Sequence, residues 1–303
     1  MILKTKRLTL RHWENGDVNN LYQYAKDPDI GPIAGWPAHK SIEESSYILN
    51  NILNGKEAYA ICLKSDGNVI GAIELKLNGH TDFTERNDEC ELGYWLGKPF
   101  WGQGIMPEAV NEILRHAFED IGMTKVWVGY YEGNLKSKRV QEKVHFRYQW
   151  KSDDVDVPLM NEKRTGYVSS LTKEQWQWDR LYMAAKTAQN SRKMSAYEEK
   201  GGVATAILSA AGNIFTGVSD DTYSTLGICA ERNAVFNMLC NGDQEIAKVI
   251  TILPNGKNRS PCGACREMII QLMPEKYKSV GIMLDYDQEK VKTLGDLMPQ
   301  CWI

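Results

Sequence analysis

The positions of hydrophobic and polar residues along the chain predict a series of short strands and helices. In the first half, alternation or short apolar runs predict strands at residues 7–11, 58–63, 69–77, 89–96 and 125–131. Apolar residues at helical spacing predict helices that begin at Asp17, at Ser41, after Gly104 and at Asn134, with a turn region at residues 31–37. This mixture of elements predicts an α/β domain.

The second half shows a comparable alternation of helices and strands. The pattern predicts a helix at residues 174–189, helices behind Cys229 and Cys265, and strands at residues 203–209, 213–218, 248–253 and 279–284. This order predicts an α/β/α arrangement of layers. A length of 303 residues suits two domains, and no linker rich in Gly, Pro or Ser intervenes. We therefore place the boundary near residue 172 and expect domains at 1–172 and 173–303.

Composition restricts the class of protein only coarsely. Hydrophobic residues make up 43% of the chain and charged residues 25%, and a net charge of −3 gives no electrostatic reason to expect a nucleic-acid partner. The charged first eleven residues do not resemble a signal peptide, and the chain has no apolar run of about 18 residues. We therefore expect a cytoplasmic protein that does not bind membranes.

Seven cysteines are spread along the chain, and this odd number is not typical of a disulfide framework. Four of them lie outside the motif described next: Cys62, Cys90, Cys240 and Cys301. We interpret these four as small buried hydrophobic residues.

Three cysteines and one glutamate in the second half have the pattern of a catalytic metal site. Cys229-Ala-Glu231 is followed by Cys262-Gly-Ala-Cys265, and His145 is the last histidine of the chain. A ligand set in this half would therefore consist of thiolates, and three ligands leave the fourth position of a tetrahedral zinc open. Both cysteine groups are predicted at helix N-termini, which favour thiolates. Glu231 can face the open position without binding the metal.

The motif Cys229-Ala-Glu-Arg232, followed by Pro261-Cys-Gly-Ala-Cys-Arg-Glu267, resembles the zinc-dependent cytidine deaminase family. The resemblance implies that Cys229, Cys262 and Cys265 bind Zn²⁺ and that Glu231 carries protons during attack on C4 of a cytosine ring. It also implies that Arg232 offsets thiolate charge and that the protein is a homo-oligomer, with a tetramer favoured. Two other interpretations stay open, a closed non-catalytic zinc module and a redox Cys-x-x-Cys pair, although neither needs Glu231.

The residues around this motif leave the deaminated compound open. Residues 203–209 and 212–218 resemble strands of blasticidin-S deaminases, whereas the Cys-Ala-Glu-Arg element resembles cytidine deaminases. Gly201 or Gly202 replaces the phenylalanine that stacks on the base, and Ser219-Asp-Asp221 replaces an Asn-x-Glu pair that binds ribose. The candidate substrate contacts are Ser219, Asp221 and Ala230. We expect cytidine to be a poor substrate beside a modified or larger cytosine compound, such as a blasticidin-like antibiotic.

A glycine-containing loop in the first half connects a predicted strand to a predicted helix. The segment Gly102-Gln-Gly104 lies directly before the helix, where a loop without bulky side chains exposes backbone amides to an anion such as a diphosphate. By itself, the segment is equally typical of a tight turn.

Segments on both sides of this loop, at residues 3–11, 35–37, 91–97 and 100–104, together resemble the RimJ/RimL-like branch of the GNAT N-acetyltransferases over residues 1–172. The resemblance implies transfer of acetyl from acetyl-CoA to an amine. The loop amides would bind the pyrophosphate and the strand end the pantetheine arm, with the thioester beside the next helix. The residues implied are Trp95, Leu96, Gly102, Gln103, Gly104, Ile105, Met106, Asn134 and Ser137.

Three features of this half stay open. Glu74 or Glu91 could be the base that accepts the proton of the amine, although each also suits a structural role. His145 stands where the family has glycine, and we interpret it as adjusting a turn. The whole half could also be a degenerate module that binds CoA without transferring acetyl.

Overall fold

A computed structural model describes residues 1–78, 80–222 and 226–302. The chain divides into two compact units, Met1–Lys173 and Glu174–Ile303. In the part of the chain that the structure describes, no helix is long and apolar enough to cross a membrane.

The first unit alternates strands and helices along most of its length. Its elements are β1 (Ile2–Lys4), β2 (Leu8–Arg11), α1 (Val18–Ala25), α2 (Gly31–Ala34), α3 (Ile42–Asn51), β3 (Ala58–Leu63), β4 (Val69–Lys76), β5 (Glu89–Leu96), α4 (Ile105–Arg115), β6 (Lys125–Tyr131), α5 (Leu135–Lys143), β7 (Arg147–Val157) and β8 (Glu162–Thr172).

These strands form one mixed sheet whose order, within the described residues, is β1-β2-β3-β4-β5-β6-β8-β7. β5 and β6 are parallel neighbours, and they pair only through residues 89–91 and 125–127. Beyond this point β5 stays paired with β4 as far as Leu96, while β6 stays paired with β8 as far as Tyr131. The two strands therefore diverge and leave an open gap, which we call the wedge.

Apolar helix faces cover this sheet. The stripe predicted for α4 is buried, and α1 and α3 form a cluster through Leu21, Ala25 and Leu49 against which Trp95 packs. The regular helix α4 ends at Arg115, and residues 116–121 continue as a π-helical segment.

The second unit contains the remaining elements. These are α6 (Lys173–Ala188), β9 (Arg192–Lys193), β10 (Glu198–Ser209), β11 (Ile214–Thr222), α7 (Ala230–Cys240), β12 (Ile246–Ile252), α8 (Gly263–Leu272), β13 (Gly281–Asp285), β14 (Lys290–Thr293) and α9 (Leu294–Leu297). The described strands pair in the order β11-β10-β12-β13-β14, with β9 beside β10, and β12 is parallel to β13.

Side-chain alternation in β10 separates two hydrophobic clusters. Ile207 belongs to a cluster with residues of α7 and α8, whereas Ala206 and Leu208 belong to a cluster with Trp178 and Leu181 of α6. The sheet therefore lies between α6 on one face and α7 and α8 on the other. The predicted α/β/α order of layers is confirmed.

The structure corrects several details of the sequence prediction. The turn region at residues 31–37 contains the short helix α2. Cys62 and Cys90 are buried as expected, but Cys240 is exposed and Cys301 is half-buried. Cys240 lies on the solvent side of α7, next to the exposed Asn241, because the buried stripe of that helix passes through Ala234 and Met238.

Candidate metal and coenzyme sites

The three motif cysteines of the second unit lie together. Cys229 and Cys262 are the N-cap residues of α7 and α8, and Cys265 lies in the first turn of α8. The Sγ atoms of Cys229 and Cys262 are 3.7 Å apart, those of Cys262 and Cys265 are 3.4 Å apart, and all three lie within 4.8 Å of one another. Thiolates 2.3 Å from a tetrahedral zinc are about 3.8 Å apart. The donor set therefore fits a zinc ion in both chemistry and spacing.

The surroundings of the three thiols shift their pKa values in different directions. Burial, and then the nearby charge of Glu231, raises the pKa of Cys265. Burial and the contact with Cys262 raise the pKa of Cys229. Burial also acts to raise the pKa of Cys262, but hydrogen bonds involving Cys265 and Cys229 outweigh it and lower that pKa. A bound cation would favour the thiolate form of each ligand.

Glu231 lies in the first turn of α7 and is 6% exposed. One carboxylate oxygen is 3.6 Å from the Sγ atom of Cys265, and the other accepts a hydrogen bond of 3.2 Å from the hydroxyl of Thr251. Thr251 Oγ1 is also 2.8 Å from Thr205 Oγ1. A hydroxyl has one proton, so Thr205 donates to Thr251 while Thr251 donates to Glu231. This chain of hydroxyls fixes the carboxylate beside the cysteine cluster.

The segment that leads into Cys262 is held by two polar side chains. Asn258 donates to the Thr251 carbonyl at 3.2 Å and accepts from the Tyr286 amide at 2.9 Å. Arg266 donates to the Pro261 carbonyl at 2.8 Å. These contacts limit the movement of Cys262 relative to β12 and α8. The sequence reasoning did not identify Thr205, Thr251 or Asn258.

Of the candidate substrate contacts, Ala230 lies on α7, and Ser219 and Asp221 lie on β11. Gly217 faces the backbone of α7, and Ser219 and Asp221 share its face of β11. Ser219 is buried, and its hydroxyl accepts from the Val203 amide at 3.2 Å and lies 3.3 Å from an Asp221 carboxylate oxygen. The Asp221 residue is exposed, whereas Ala230 is buried in the first turn of α7.

The sequence also singled out Gly201 and Arg232. Gly201 has φ +77°, and a Cβ atom there would lie 2.0 Å from the Asn190 carbonyl oxygen, so a phenylalanine does not fit this backbone. Arg232 follows Glu231 on α7, and its Nε atom is buried without a hydrogen-bond acceptor among the described residues.

The glycine loop of the first unit ends at the N-terminus of α4. Gly102 and Gly104 have φ values of +75° and +72°, and Gly104 is the N-cap residue. The Gln103 carbonyl accepts from Arg7 at 3.0 Å. The side chains of Ile105 and Met106 are buried, while the first amides of a helix have no partners within it. The local geometry is thus the one that presents amides to an anion.

The wedge borders this loop and the start of α5. The Gly97 amide donates to the Ile70 carbonyl at 2.8 Å, so alternation along β5 directs the backbone groups of Trp95 towards β4 and those of Tyr94 and Leu96 towards the wedge. The Leu96 carbonyl accepts from the Trp101 indole at 2.7 Å. Leu96, rather than Trp95, therefore offers a backbone amide to the wedge.

Asn134 and Ser137 begin α5. Asn134 is the N-cap residue, and its side chain accepts from the Ser137 amide at 3.1 Å. The Ser137 hydroxyl is 2.9 Å from the Tyr94 hydroxyl, and burial raises the pKa of Tyr94 to about 12 although hydrogen bonds with Ser137 and Gln141 act to lower it. After α5, His145 has φ +62°, a left-handed conformation that glycine adopts easily.

Comparison with known proteins assigns both units to families. Residues 7–147 match the family model for the acetyltransferase (GNAT) domain, and residues 176–280 match the model for the cytidine and deoxycytidylate deaminase zinc-binding region. Residues 7–147 therefore form a GNAT acetyltransferase domain, and residues 176–280 contain a cytidine and deoxycytidylate deaminase zinc-binding region.

Individual relatives match one domain each. YdaF of Bacillus subtilis (strain 168), which bears the name of a ribosomal N-acetyltransferase, is 33% identical over 129 residues, which are 42% of this chain and 65% of that protein. The chain thus spans just under two thirds of that relative. A cytidine deaminase of Halalkalibacterium halodurans is 29% identical over 98 residues, 32% of this chain and 74% of that enzyme.

A solved structure supports the fold of the first domain. A GNAT-family acetyltransferase from Bacillus anthracis superposes with a TM-score of 0.51 at 22% identity, covering 57% of this chain and 99% of that chain. The likeness shows the GNAT fold.

Proposed function

We propose that residues 173–303 form a zinc-dependent hydrolase that deaminates a cytosine nucleoside or a related compound. The observation that carries the proposal is that three thiols and one buried carboxylate lie close together at the N-termini of α7 and α8. A closed structural zinc site or a redox Cys-x-x-Cys pair would not need a carboxylate fixed in this position by Thr251.

In this proposal Cys229, Cys262 and Cys265 bind the zinc ion, and Arg232 offsets part of the thiolate charge. Zinc supplies an activated water near neutral pH. Deamination adds water at C4 of the ring and releases ammonia, so two protons must move from the water oxygen to nitrogen atoms. Glu231 holds and transfers these protons, first to the ring nitrogen and then to the departing amino group.

The substrate is proposed to be a modified or larger cytosine compound rather than cytidine itself. Glycines at positions 201 and 202 supply no ring to stack on the base, and the Ser219 hydroxyl is already engaged with Val203 and Asp221. Loss of a hydrogen-bonded pair to a substrate hydroxyl typically costs roughly a hundredfold or more in turnover efficiency. A blasticidin-like antibiotic is one candidate compound.

A substrate panel tests this proposal. Ammonia release is measured with cytidine, deoxycytidine, 5-methylcytidine, cytosine and blasticidin S, each with wild-type protein and with the Cys262→Ala variant as a metal-ligand control. We expect turnover of at least one cytosine compound, with cytidine among the weaker substrates. Absence of ammonia release from every compound by zinc-loaded protein would contradict the deaminase assignment, and cytidine as the best substrate would contradict the substrate preference.

A second function is proposed for residues 1–172, namely transfer of acetyl from acetyl-CoA to an amine. The open wedge beside two left-handed glycines and the free amides of α4 supports this proposal. The amides of residues 102–106 would bind the pyrophosphate, with the Gln103 amide between the two glycines. Leu96 would pair with the pantetheine arm from β5, and the thioester would lie beside Asn134 and Ser137.

Calorimetry with acetyl-CoA tests the second function. We expect saturable binding to the full chain, followed by acetylation of at least one amine in a panel. Absence of binding at millimolar acetyl-CoA would refute the transferase interpretation. Binding without transfer to any amine would instead favour a module that binds CoA and has lost its activity.

We also propose that the protein is a homo-oligomer, with a tetramer favoured because deaminases with three cysteine ligands commonly assemble in this way. Sedimentation velocity of the full chain tests this, and a monomer across the accessible concentration range would contradict it.

A further inference from the structure

A small cavity of about 50 Å³ lies in the first unit beside the wedge. Its lining includes Trp13, Leu53, Ala72, Glu74, Gly93 and Trp95. A water molecule needs roughly 10–15 Å³ of such space, so the cavity has room for about three to five non-hydrogen atoms. The cavity is therefore suited to the end of a small molecule.

Two polar groups in this cavity have no hydrogen-bond partner among the described residues. The Nε1 atom of Trp13 is buried without an acceptor. Glu74 is half-buried, and none of the hydrogen bonds or ion pairs of the described residues involves its carboxylate. A buried donor without an acceptor is costly, so a ligand that accepts from the Trp13 indole gains binding energy, and the half-buried Glu74 carboxylate is open to a cationic group of the same ligand.

Glu91, the other candidate base, is not available in the same way. Its carboxylate accepts from the Lys76 ammonium at 2.6 Å and from the Asp82 amide at 2.8 Å. Glu74 instead lies over Gly93 on the neighbouring strand, where an added Cβ atom would be 3.0 Å from the carboxylate. Gly93 thus leaves the space that Glu74 occupies.

The cavity lies over the strand that forms one edge of the wedge. Gly93 and Trp95 belong to the part of β5 that has separated from β6, and Tyr94 between them, whose side chain points to the opposite face, contacts the Ser137 hydroxyl at 2.9 Å. A molecule held between Glu74 and Trp13 therefore lies beside the wedge. Indole rings such as those of Trp13 and Trp95 also attract cations, which suits an ammonium group.

We propose that Glu74 and Trp13 form the acceptor site of the acetyltransferase domain and that this site binds a small primary amine bearing a hydrogen-bond acceptor near the nitrogen. Glu74 pairs with the amine, and the Trp13 indole donates to the acceptor atom of the same molecule. This inference rests on the acetyl transfer proposed above for residues 1–172, and it identifies Glu74 rather than Glu91 as the base.

The chemistry balances with acetyl-CoA as the only co-reactant. The Glu74 carboxylate takes one proton from the bound ammonium, which frees the nitrogen lone pair. The new N–C bond forms at the thioester carbonyl as the C–S bond breaks, and a second proton from the nitrogen ends on the departing CoA sulfur. Burial raises the pKa of Glu74, which makes its carboxylate a stronger base than an exposed one.

The test follows amine binding without relying on turnover. Full-length protein carrying ¹⁵N-labelled tryptophan is titrated with ethanolamine, and the Trp13 indole resonance is identified from the Trp13→Phe variant. We expect a saturable shift of this resonance. Glu74→Gln should weaken the apparent affinity by about tenfold or more, because hydrogen bonds to a charged group are lost. Propylamine, which has no oxygen, should bind about two- to tenfold more weakly than ethanolamine.

Acetylation of ethanolamine is then measured from CoA thiol release in the same variants. Glu74→Gln should reduce the rate by tenfold or more, Glu74→Asp should recover part of it, and the exposed-residue control Glu85→Gln should match the wild type. An unshifted Trp13 resonance, or equal affinities for wild type and Glu74→Gln, would overturn the acceptor site. Failure of the wild type to bind acetyl-CoA would instead overturn the proposed transfer, while the amine titration would still decide whether the cavity binds amines.

Discussion

Replacing Thr251 with valine removes the donor that fixes the Glu231 carboxylate while keeping the size and branching of the side chain. The Thr251 hydroxyl donates to Glu231 at 3.2 Å, and both residues are buried. A hydrogen bond to a charged group contributes about 1.5–3 kcal/mol. If this energy maintains the orientation needed for proton transfer, Thr251→Val should lower kcat by roughly ten- to a hundredfold. The zinc ligands are untouched, so the metal content should not change.

The assay is steady-state ammonia release with the best compound of the cytosine panel, together with zinc content by elemental analysis. Thr251→Ser keeps the hydroxyl and should retain most of the turnover. Thr205→Val removes only a bond between neutral hydroxyls, worth about 1 kcal/mol, and should have a smaller effect. A Thr251→Val enzyme with full zinc content and the kcat of the wild type would refute the role assigned to this hydroxyl.

Three further predictions concern the stability of the fold. Gly217→Ala would place a Cβ atom 2.2 Å from the Ala234 amide nitrogen, so it should lower the free energy of unfolding by about 3 kcal/mol in a denaturant titration. In the control Gly202→Ala, the new Cβ atom meets only Pro254 at 3.7 Å, and the free energy of unfolding should change little. Gly104→Ala forces a side chain into a left-handed conformation and should cost about 1–2 kcal/mol by the same measurement, with a smaller cost for asparagine. Burial raises the pKa of Glu74 in the folded protein above its ordinary value of 4.5. The charge of Glu74 therefore destabilises the fold increasingly as pH rises from 4.5 through the pKa of the folded state. Glu74→Gln should raise the melting temperature at neutral pH and have no such effect below pH 4.5.

Local sequence patterns were sufficient to predict many elements of the fold, although β7 and β8 at the end of the first unit were not predicted. The predicted strands at residues 58–63, 89–96 and 125–131 have the bounds of β3, β5 and β6. Their apolar runs are bounded by turn residues, so each strand is specified by its own segment. Helix α2 was not predicted because it has only four residues and lies in a segment rich in Gly and Pro, which ordinarily indicates a turn.

The cysteine motif is similarly local, because Cys229 and Cys262 each begin the helix that their own segment forms. The hydroxyl chain behind Glu231 is different. Thr205 and Thr251 meet only because β10 and β12 pair in one particular register, and a single sequence does not specify the register of distant strands. The choice between Glu74 and Glu91 likewise depended on the partners that β4 and β5 bring to each carboxylate.

The activity proposed for the second unit depends on Glu231 transferring protons beside a bound zinc ion. The most direct measurement compares the wild type with Glu231→Gln for zinc content and for ammonia release from the best cytosine compound. We predict about one zinc per chain in both proteins, because three thiolates complete the protein ligand set, and loss of at least a hundredfold in kcat in the variant. A Glu231→Gln protein that releases ammonia as fast as the wild type, with zinc bound in both, would contradict the account.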